Sequence, residues 1–234
     1  MKTLKTFNDV IYSRKKLREL NLSFIDNQFI YFLRRLKLIK NIGIGDLKKS
    51  WDIYKFLLFI NDKVKKNHNI LDIGCYQSEI ILALCKSGYK KLTGIDLNSN
   101  VSYMPFQDKI NYHVYDFLKG NKYKNFFSCI TAVSVLEHGF DENKFLLSMS
   151  NMLKKSGYLL ISFDYWQNKI DTSTTKLFNM DWNIFSKQEI QNFIVKAKKY
   201  GFVDISGNDY LCKEKAISHA GYSYTFGLII FQKK

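Results

Sequence analysis

The chain has 234 residues, of which 46% are hydrophobic and 24% are charged, a composition that indicates one folded domain and excludes wholesale disorder. It contains no run of about 18 consecutive apolar residues, so the sequence predicts no transmembrane helix. The N-terminal residues lack the apolar core of a secretory signal, and we therefore expect a cytoplasmic protein.

The formal net charge of +15 is concentrated near the N-terminus, because residues 1–66 hold 16 Lys and Arg against 6 Asp and Glu. A strong positive charge is typical of proteins that bind nucleic acid. Only 4 of the 36 cationic residues are arginines, however, and arginine is the residue best suited to bidentate phosphate recognition. We interpret the excess as a lysine-rich solvated surface that attracts anionic small molecules, with nucleic-acid binding as the alternative.

The cysteines and histidines are dispersed along the chain. The four cysteines form no pair with metal-ligand spacing, so they are predicted to be reduced thiols: Cys75, Cys85, Cys129 and Cys212. The four histidines are equally scattered, whereas a structural zinc site needs grouped ligands. The sequence therefore predicts no metal site.

Residues 1–66 are predicted to be helical throughout. One set of apolar residues recurs at helical spacing and shares a face: Ile25, Phe29, Phe32, Leu33 and Leu36. A second helix is predicted to begin at Asp46, a suitable N-cap, with one apolar stripe: Leu47, Trp51, Tyr54 and Leu58. We expect this segment to form a helical lid on the main body, in preference to a basic amphipathic helix on a membrane surface.

From residue 69 onward, short apolar strands alternate with helices. The predicted strands are Asn69–Gly74, Lys91–Asp96, Ile110–Tyr115, Ser128–Ser134, Gly157–Phe163, Val203–Ser206 and Tyr224–Phe231. Helices are predicted over Ser78–Ser87 and Asp141–Lys155, and a capping box formed by Ser186 and Glu189 begins another. This alternation is typical of an α/β fold with a parallel sheet and helices on both faces, closed here by an antiparallel hairpin.

Acidic residues recur at the carboxyl ends of the first three of these strands. Asp72 lies in the first strand just before Gly74, and Asp96 and Asp116 end or follow the next two. Ligands of open α/β sheets bind at this edge, where an acid about 20 residues after a glycine turn holds ribose hydroxyls. Three carboxylates suit a ligand with hydroxyls, an amine and a positive centre better than they suit a pyrophosphate.

Six sequence pieces in the correct order carry a family resemblance. They are Leu71-Asp-Ile-Gly-Cys75, Gly94-Ile-Asp96, Tyr115-Asp-Phe117, Ser134-Val-Leu-Glu-His138, Met152-Leu-Lys-Lys-Ser-Gly157 and Tyr158-Leu-Leu-Ile-Ser162. With them, residues 69–231 resemble a class I S-adenosylmethionine-dependent methyltransferase. The resemblance implies a Rossmann-like, mostly parallel seven-stranded sheet with an antiparallel last strand and S-adenosylmethionine as cofactor. Together with the helical pattern of the N-terminal segment, this predicts two parts of the chain: a helical lid, residues 1–66, and a cofactor-binding domain, residues 67–234.

The resemblance also implies roles for individual residues. The turn around Gly74, with Asp72, Cys75 and Tyr76, would pass close to the methionine part of the cofactor. Asp96 would hold the ribose hydroxyls and Leu97 would lie beside the adenine. Asp116 would accept a hydrogen bond from the adenine amino group, and Phe117 would lie against the ring. The backbone of Val133 and Ser134 would meet the amino-acid end.

The first loop departs from the family pattern, which has three glycines at alternate positions. Only Gly74 remains, because Tyr76 and Ser78 occupy the other two places. Side chains there restrict the backbone and crowd the cofactor, although serine is a good helix N-cap. Tyr76 lines the pocket wall or indicates a weakened or lost cofactor site; the sequence leaves both open.

Glu137 and His138 follow the fourth strand, in a loop that by resemblance faces the transferred methyl group. Histidine is the usual general base near neutral pH, so His138 is the predicted catalytic residue, against the alternative that the pair only shapes the loop. Asp164, Tyr165 and Trp166 could contact the acceptor or cover the lid, and His219 is a further acceptor-site candidate.

The predicted function is methyl transfer to a small polar, anionic acceptor. Similarity of the chain after the fifth strand to methyltransferases of bacterial surface-polysaccharide clusters points to a nucleotide-activated or phosphorylated sugar. The alternatives are an RNA methyltransferase and a degenerate fold that serves as a partner-binding subunit. A dinucleotide oxidoreductase is disfavoured because the G-x-G-x-x-G motif is missing. The sequence decides neither the identity of the acceptor nor the oligomeric state.

Overall fold

The computed structural model describes residues 1–25, 32–33, 35–38, 43–119 and 122–234. The α-helices of these ranges, α1 to α5, are Phe7–Glu19, Ser50–Lys63, Ile80–Lys86, Glu142–Met152 and Lys187–Lys199. The strands, β1 to β11, are Lys2–Thr3, Asn69–Ile73, Lys91–Asp96, Ile110–Val114, Phe127–Val133, Leu153–Tyr165, Lys176–Leu177, Met180–Asp181, Phe202–Asp204, Ile217–His219 and Tyr222–Lys233.

The main sheet has the order β1-β11-β6-β5-β2-β3-β4, and β9 and β10 also pair with β11. The five strands from β6 to β4 in this order are parallel, whereas β11 runs antiparallel to β6. The predicted α/β fold with a mostly parallel sheet and an antiparallel last strand is confirmed. All seven predicted strands are present, and the two short strands β1 and β10 extend the outer edge of β11.

Helices cover both faces of the sheet because consecutive strand residues point to opposite sides. In β2, Ile70 packs into the core beneath α1, α2 and α3, and its neighbour Leu71 packs into the core beneath α4 and α5. Each face is therefore apolar, and a fully buried side chain such as Phe56 of α2 contributes roughly 2 kcal/mol to folding.

The buried stripe of α2 differs from the predicted one. Ile53, Phe56 and Ile60 face the sheet and are buried, whereas Leu58 of the predicted stripe is 47% exposed. Trp51 is buried as predicted. Helix α2 is rotated about its axis relative to the predicted orientation. Its longest set of apolar residues at spacings of three and four lies on the side of Phe56, and this side packs on the sheet.

Several predicted boundaries are confirmed, and one is wrong. Asp46 caps the helical turn Leu47–Lys49 by accepting a hydrogen bond from the Lys48 N–H (2.9 Å). Ser186 and Glu189 form the predicted capping box at the start of α5. The helix predicted to reach residue 155 ends at Met152, because Leu153 already pairs with Phe127 across a bulge at the start of β6.

The N-terminal segment is not wholly helical as predicted, since β1 joins the main sheet beside Gly227 and Leu228. Helix α1 packs against α2, and both cover one face of the sheet. Phe29, which belongs to the first predicted helix, lies outside the described residues. The division of the chain at residues 66 and 67 stays a prediction. None of the helices in the described ranges combines the length and apolarity that crossing a membrane requires.

Candidate functional site

The turn after β2 admits only glycine at its first position. Gly74 has φ +70°, and a Cβ there would lie 2.8 Å from Cγ2 of Val135. Its N–H donates to the carbonyl of Ile95 (2.9 Å), which joins the ends of β2 and β3. The backbone therefore turns sharply at the carboxyl edge of the sheet, where α/β proteins bind ligands.

Asp96 ties two loops together at this edge. Its Oδ2 accepts a hydrogen bond from the Tyr76 N–H (2.9 Å), and its Oδ1 accepts one from the Asn98 N–H (2.8 Å). Each carboxylate oxygen keeps a further lone pair for a ligand hydroxyl. Asp96 is thus both the end of β3 and a fixed point for the loop after β2.

A cavity of about 670 Å³, the larger cavity, opens above these loops. This volume lies within the range of roughly 300–1,000 Å³ that is typical of small-molecule sites. Eight of the predicted site residues line it: Gly74, Tyr76, Asp96, Leu97, Phe117, Val133, Ser134 and His138.

Three predicted cofactor residues do not line the larger cavity. Asp72 is buried beneath it, its Oδ1 accepts a hydrogen bond from the Thr131 hydroxyl (2.7 Å), and burial raises the pKa of its carboxyl to about 7. Burial also raises the pKa of the Cys75 thiol, which packs in the core. Asp116 accepts a hydrogen bond from the Leu118 N–H (3.0 Å) and holds a turn instead. Their roles in cofactor binding stay predictions, in which the first two would act through the loop.

A second cavity of about 320 Å³, the smaller cavity, adjoins the first. Seven residues line both and form a shared wall: Gly74, Tyr76, Gln77, Val133, Ser134, His138 and Phe178. Three of these seven, Gln77 (φ +62°), Ser134 (φ +53°) and Phe178 (φ +55°), are non-glycine residues in the left-handed region. Such strain costs roughly 1–3 kcal/mol and clusters at functional sites, and here it lies where the two cavities meet.

Asp164 is the centre of the charged groups in the smaller cavity. Its Oδ2 accepts a hydrogen bond from the Trp182 indole N–H (2.8 Å), and its Oδ1 lies 3.5 Å from the Lys49 ammonium. The ammonium also sits 3.7 Å from the ring centroid of Phe226. Burial alone would lower the pKa of Lys49, but the surrounding carboxylates raise it above its usual value.

Two further buried acids, Glu137 and Asp52, interact electrostatically with the ammonium group of Lys49. Glu137 is 1% exposed, and burial together with the neighbouring Asp164 raises the pKa of its carboxyl to about 8. Asp52 accepts a hydrogen bond from the Ser162 hydroxyl (2.9 Å), and burial raises its pKa to about 7. At neutral pH Glu137 is therefore largely protonated. Its Oε2 has no partner of hydrogen-bond geometry in the part of the chain that the structure describes.

His138 lies in the shared wall, in the turn after β5. Burial lowers the pKa of its imidazole, so the ring is neutral at pH 7. Its Nδ1 is buried and has no hydrogen-bond partner among the described residues. The ring of Phe178 meets it edge-on at 5.6 Å between centroids. A neutral imidazole with a free nitrogen can accept a proton, as the predicted catalytic role requires.

Aromatic side chains form the far wall of the smaller cavity. Trp182 packs edge-to-face against Tyr222, Tyr224 and His219, with ring centroids 5.4, 5.8 and 6.1 Å apart. His219, a predicted acceptor-site candidate, thus lines the cavity, as does Asp164. Tyr165 and Trp166, named with Asp164 from the sequence, do not: Tyr165 is buried in the core.

The lining residues of the smaller cavity that sequence reasoning missed include Lys49, Trp182, Tyr224 and Phe226. One signal was available for the last two, because Tyr222, Tyr224 and Phe226 alternate along the last strand and must share a face. Lys49 carries no such signal in a chain so rich in lysine.

The larger cavity fits an adenosyl ligand. Asp96 presents a carboxylate with free lone pairs to hydroxyl groups, and Phe117 and Leu97 offer aromatic and apolar surface to a flat ring. Gly74 lets the backbone approach without a side chain. The wall shared with the smaller cavity would place a second molecule beside such a ligand.

Comparison with known proteins identifies relatives of this chain. Residues 47–204 match a family described as a methyltransferase domain. The chain is similar to the ubiquinone biosynthesis O-methyltransferase of Pelagibacter ubique, with 30% identity over 115 residues. That match covers 47% of this chain and 48% of the relative, so the chain matches about half the length of this curated protein.

Solved structures share the fold at low sequence identity. The cyclase SpnF superposes with a TM-score of 0.61 at 12% identity, covering 83% of this chain and 84% of that one. The 1,6-didemethyltoxoflavin-N1-methyltransferase of Burkholderia thailandensis superposes with a TM-score of 0.57 at 13% identity, covering 78% of each chain. The latter structure contains 1,6-didemethyltoxoflavin and S-adenosylhomocysteine.

We expect Asp96→Ala to weaken binding of S-adenosylhomocysteine by roughly 10- to 100-fold, because a charge-assisted hydrogen bond is worth about 1.5–3 kcal/mol. Isothermal titration calorimetry measures the dissociation constant. The matched control is Asp108→Ala, which removes an exposed carboxylate that does not line the cavity and should leave the affinity nearly unchanged. Equal losses in the two variants would contradict the placement of the ligand against Asp96.

Proposed function

Because the chain belongs to the family of methyltransferase domains, we propose that it transfers a methyl group from S-adenosylmethionine to a hydroxyl group of a small acceptor with a planar, largely apolar body. The family match confirms the resemblance predicted from the sequence and, with it, S-adenosylmethionine as the cofactor of the family. The observation that carries the proposal is the shared wall, where His138 faces both cavities.

In this proposal the larger cavity holds the methyl donor and the smaller cavity holds the acceptor. Bound S-adenosylmethionine supplies a methyl group on a positively charged sulfur, which is open to direct displacement. The protein contributes positioning, because alignment of two reactants can supply much of the rate acceleration of such a transfer. Gly74, Gln77 and Ser134 hold the backbone of the wall between the two sites in fixed, partly strained conformations.

His138 would accept the proton that an acceptor hydroxyl loses. Its lowered pKa keeps the ring neutral, and the residue lines both cavities. A general base placed in this way contributes roughly 10²- to 10⁴-fold to the rate.

Glu137 would orient the acceptor as a neutral carboxylic acid. Because its pKa is raised to about 8, it carries a proton at neutral pH and can donate a hydrogen bond to the acceptor oxygen. Asp164 cannot take this role, since its two oxygens already face Lys49 and the Trp182 N–H. An acid and a base would thus flank the same hydroxyl group.

The aromatic far wall supports a planar acceptor. Trp182, Tyr224 and Phe226 offer flat apolar surface in a space of about 320 Å³. The relative from Pelagibacter ubique is an O-methyltransferase of ubiquinone biosynthesis, which supports oxygen as the methylated atom. The structural relative that binds 1,6-didemethyltoxoflavin supports a small-molecule acceptor, although that enzyme methylates nitrogen.

An anionic sugar acceptor is the narrower prediction made from the sequence, and the comparisons give it no support. Both lysines that line the smaller cavity already have partners: Lys48 donates to the Ser218 carbonyl (2.6 Å), and Lys49 pairs with Asp164. A phosphate group would also meet the carboxyls of Glu137 and Asp164. The sugar acceptor, the RNA methyltransferase, the partner-binding subunit and the cytoplasmic location all stay predictions.

A methyl-transfer assay with labelled S-adenosylmethionine tests the proposal. The probes are catechol, a uridine diphosphate sugar and a structured RNA. We expect transfer to catechol, and a fall in kcat of roughly 10²- to 10⁴-fold in His138→Ala.

The matched control for this variant is His219→Ala, which changes a second histidine of the smaller cavity on the far wall. It should raise KM with little change in kcat, because His219 lines the acceptor site away from the shared wall. Transfer to the sugar nucleotide or to RNA alone would contradict the proposed acceptor class, and an equal loss of kcat in both variants would contradict His138 as the base.

The protonated state of Glu137 predicts a pH dependence. We expect kcat/KM for the acceptor to fall as the pH rises through about 8, because the proton that Glu137 donates is then lost. Glu137→Gln keeps a neutral hydrogen-bond donor and should not show this fall.

The groups that surround Glu137 are the same in the wild-type protein and in Glu137→Gln. The difference between the pH profiles of these two proteins therefore isolates the titration of Glu137. These groups are Lys49 and Asp52 from the helical segment that follows Asp46, Asp164 and Tyr224 from the sheet, and His138 in the same turn. His138 is already neutral in this pH range, and burial raises the pKa of Tyr224. Coincident profiles of the wild-type protein and Glu137→Gln would contradict the assignment.

A further inference from the structure

The loop between β2 and α3 is held by residues that lie far from it in the sequence. The Gln77 carbonyl accepts a hydrogen bond from the Gly45 N–H (2.9 Å), and the Gln77 N–H points at Sδ of Met104 (3.4 Å). Asp96 holds the N–H of Tyr76. Gln77 adopts a left-handed conformation that side chains disfavour, in a loop that lacks two of the usual glycines. The hydrogen bonds from distant segments hold the loop in this conformation.

The strongest of these external contacts is a buried ion pair at Glu79, which directly precedes α3. Arg14 of α1 donates two parallel hydrogen bonds, from Nη1 to Oε1 (2.7 Å) and from Nη2 to Oε2 (2.8 Å). The side chains are 2% and 1% exposed. The N–H of Phe24 also donates to Oε1 of Glu79. A bidentate pair of this kind fixes direction as well as distance.

The other donors of Arg14 bind the segments around it. Nε donates to the Ser50 hydroxyl (2.9 Å), Nη1 to the Ser23 hydroxyl (2.9 Å) and Nη2 to the Asp46 carbonyl (3.4 Å). One guanidinium therefore joins α1, the stretch around residue 23, the cap before α2 and the loop after β2. The region that matches the methyltransferase family begins at residue 47, so Arg14 lies outside it.

We propose that Arg14 is a positioning residue for the cofactor, and that its ion pair with Glu79 holds the glycine-poor loop in the conformation that binds an adenosyl ligand. The inference rests on the proposed use of S-adenosylmethionine. In this arrangement helix α1 braces the donor site, and the lid function of residues 1–66 stays a prediction.

A stabilising role and a positioning role make different predictions here. Replacing a buried ion pair by apolar residues of similar volume is often neutral or favourable for stability. An apolar pair has no preferred direction, however, so it would fill the space without fixing Glu79 and the loop before it. The double variant Arg14→Met/Glu79→Leu therefore separates the two roles.

The experiment measures the affinity for S-adenosylhomocysteine by calorimetry, thermal unfolding, and hydrogen exchange of the amides at positions 76 to 79 without ligand. We expect Arg14→Met/Glu79→Leu to unfold near the wild-type temperature, to exchange these amides faster, and to bind the ligand roughly 10- to 100-fold more weakly, because a displaced loop misplaces its contacts. Arg14→Lys, which cannot form the parallel pair, should also bind more weakly.

The control is Val10→Ala, which removes buried apolar atoms from α1 one turn before Arg14. It should lower the unfolding temperature yet leave the affinity within about twofold of wild type, because it leaves the Arg14–Glu79 ion pair in place. Wild-type affinity and exchange in the double variant, or an equal loss in Val10→Ala, would overturn the positioning role alone. Failure of the wild-type protein to bind S-adenosylhomocysteine would overturn the proposed cofactor as well.

Discussion

The parallel pairing of β2 with β3 and β5 is the constraint on which the site depends. Because parallel strands end at the same edge, this pairing brings Gly74, Asp96 and Ser134 together although they are far apart in the sequence. The turns after β2 and β5 then form one wall with a cavity on each side. A donor and an acceptor held in these cavities would meet at His138.

Two buried charged clusters flank this wall and differ in balance. Arg14 and Glu79 are matched one to one, and breaking such a pair by removing one partner costs roughly 3–5 kcal/mol. Around Lys49, by contrast, one ammonium faces the three carboxyls of Asp164, Glu137 and Asp52. Burial, together with the surplus of acid, keeps Glu137 largely protonated at neutral pH. The balanced cluster suits a structural brace, and the unbalanced one provides a proton donor beside the acceptor.

The sequence was most informative where local pattern and topology act together. Gly74, Asp96 and His138 could be predicted because apolar runs locate the strands, and strand ends locate the site. Asp116 does not line the larger cavity, because a residue after a strand can equally accept a hydrogen bond from its own turn, and its role in cofactor binding stays a prediction. Lys49, Trp182 and the brace at Arg14 depend on contacts between distant segments, which no local pattern records.

The central claim is that the larger cavity holds the methyl donor and the smaller cavity holds the acceptor. A crystal structure of the complex with S-adenosylhomocysteine tests it most directly. The account predicts the adenosyl group in the larger cavity, with Asp96 at the ribose hydroxyls and the ring of Tyr76 against the wall. Electron density for the ligand in the smaller cavity, or the Tyr76 ring occupying the space of the amino-acid end, would contradict it.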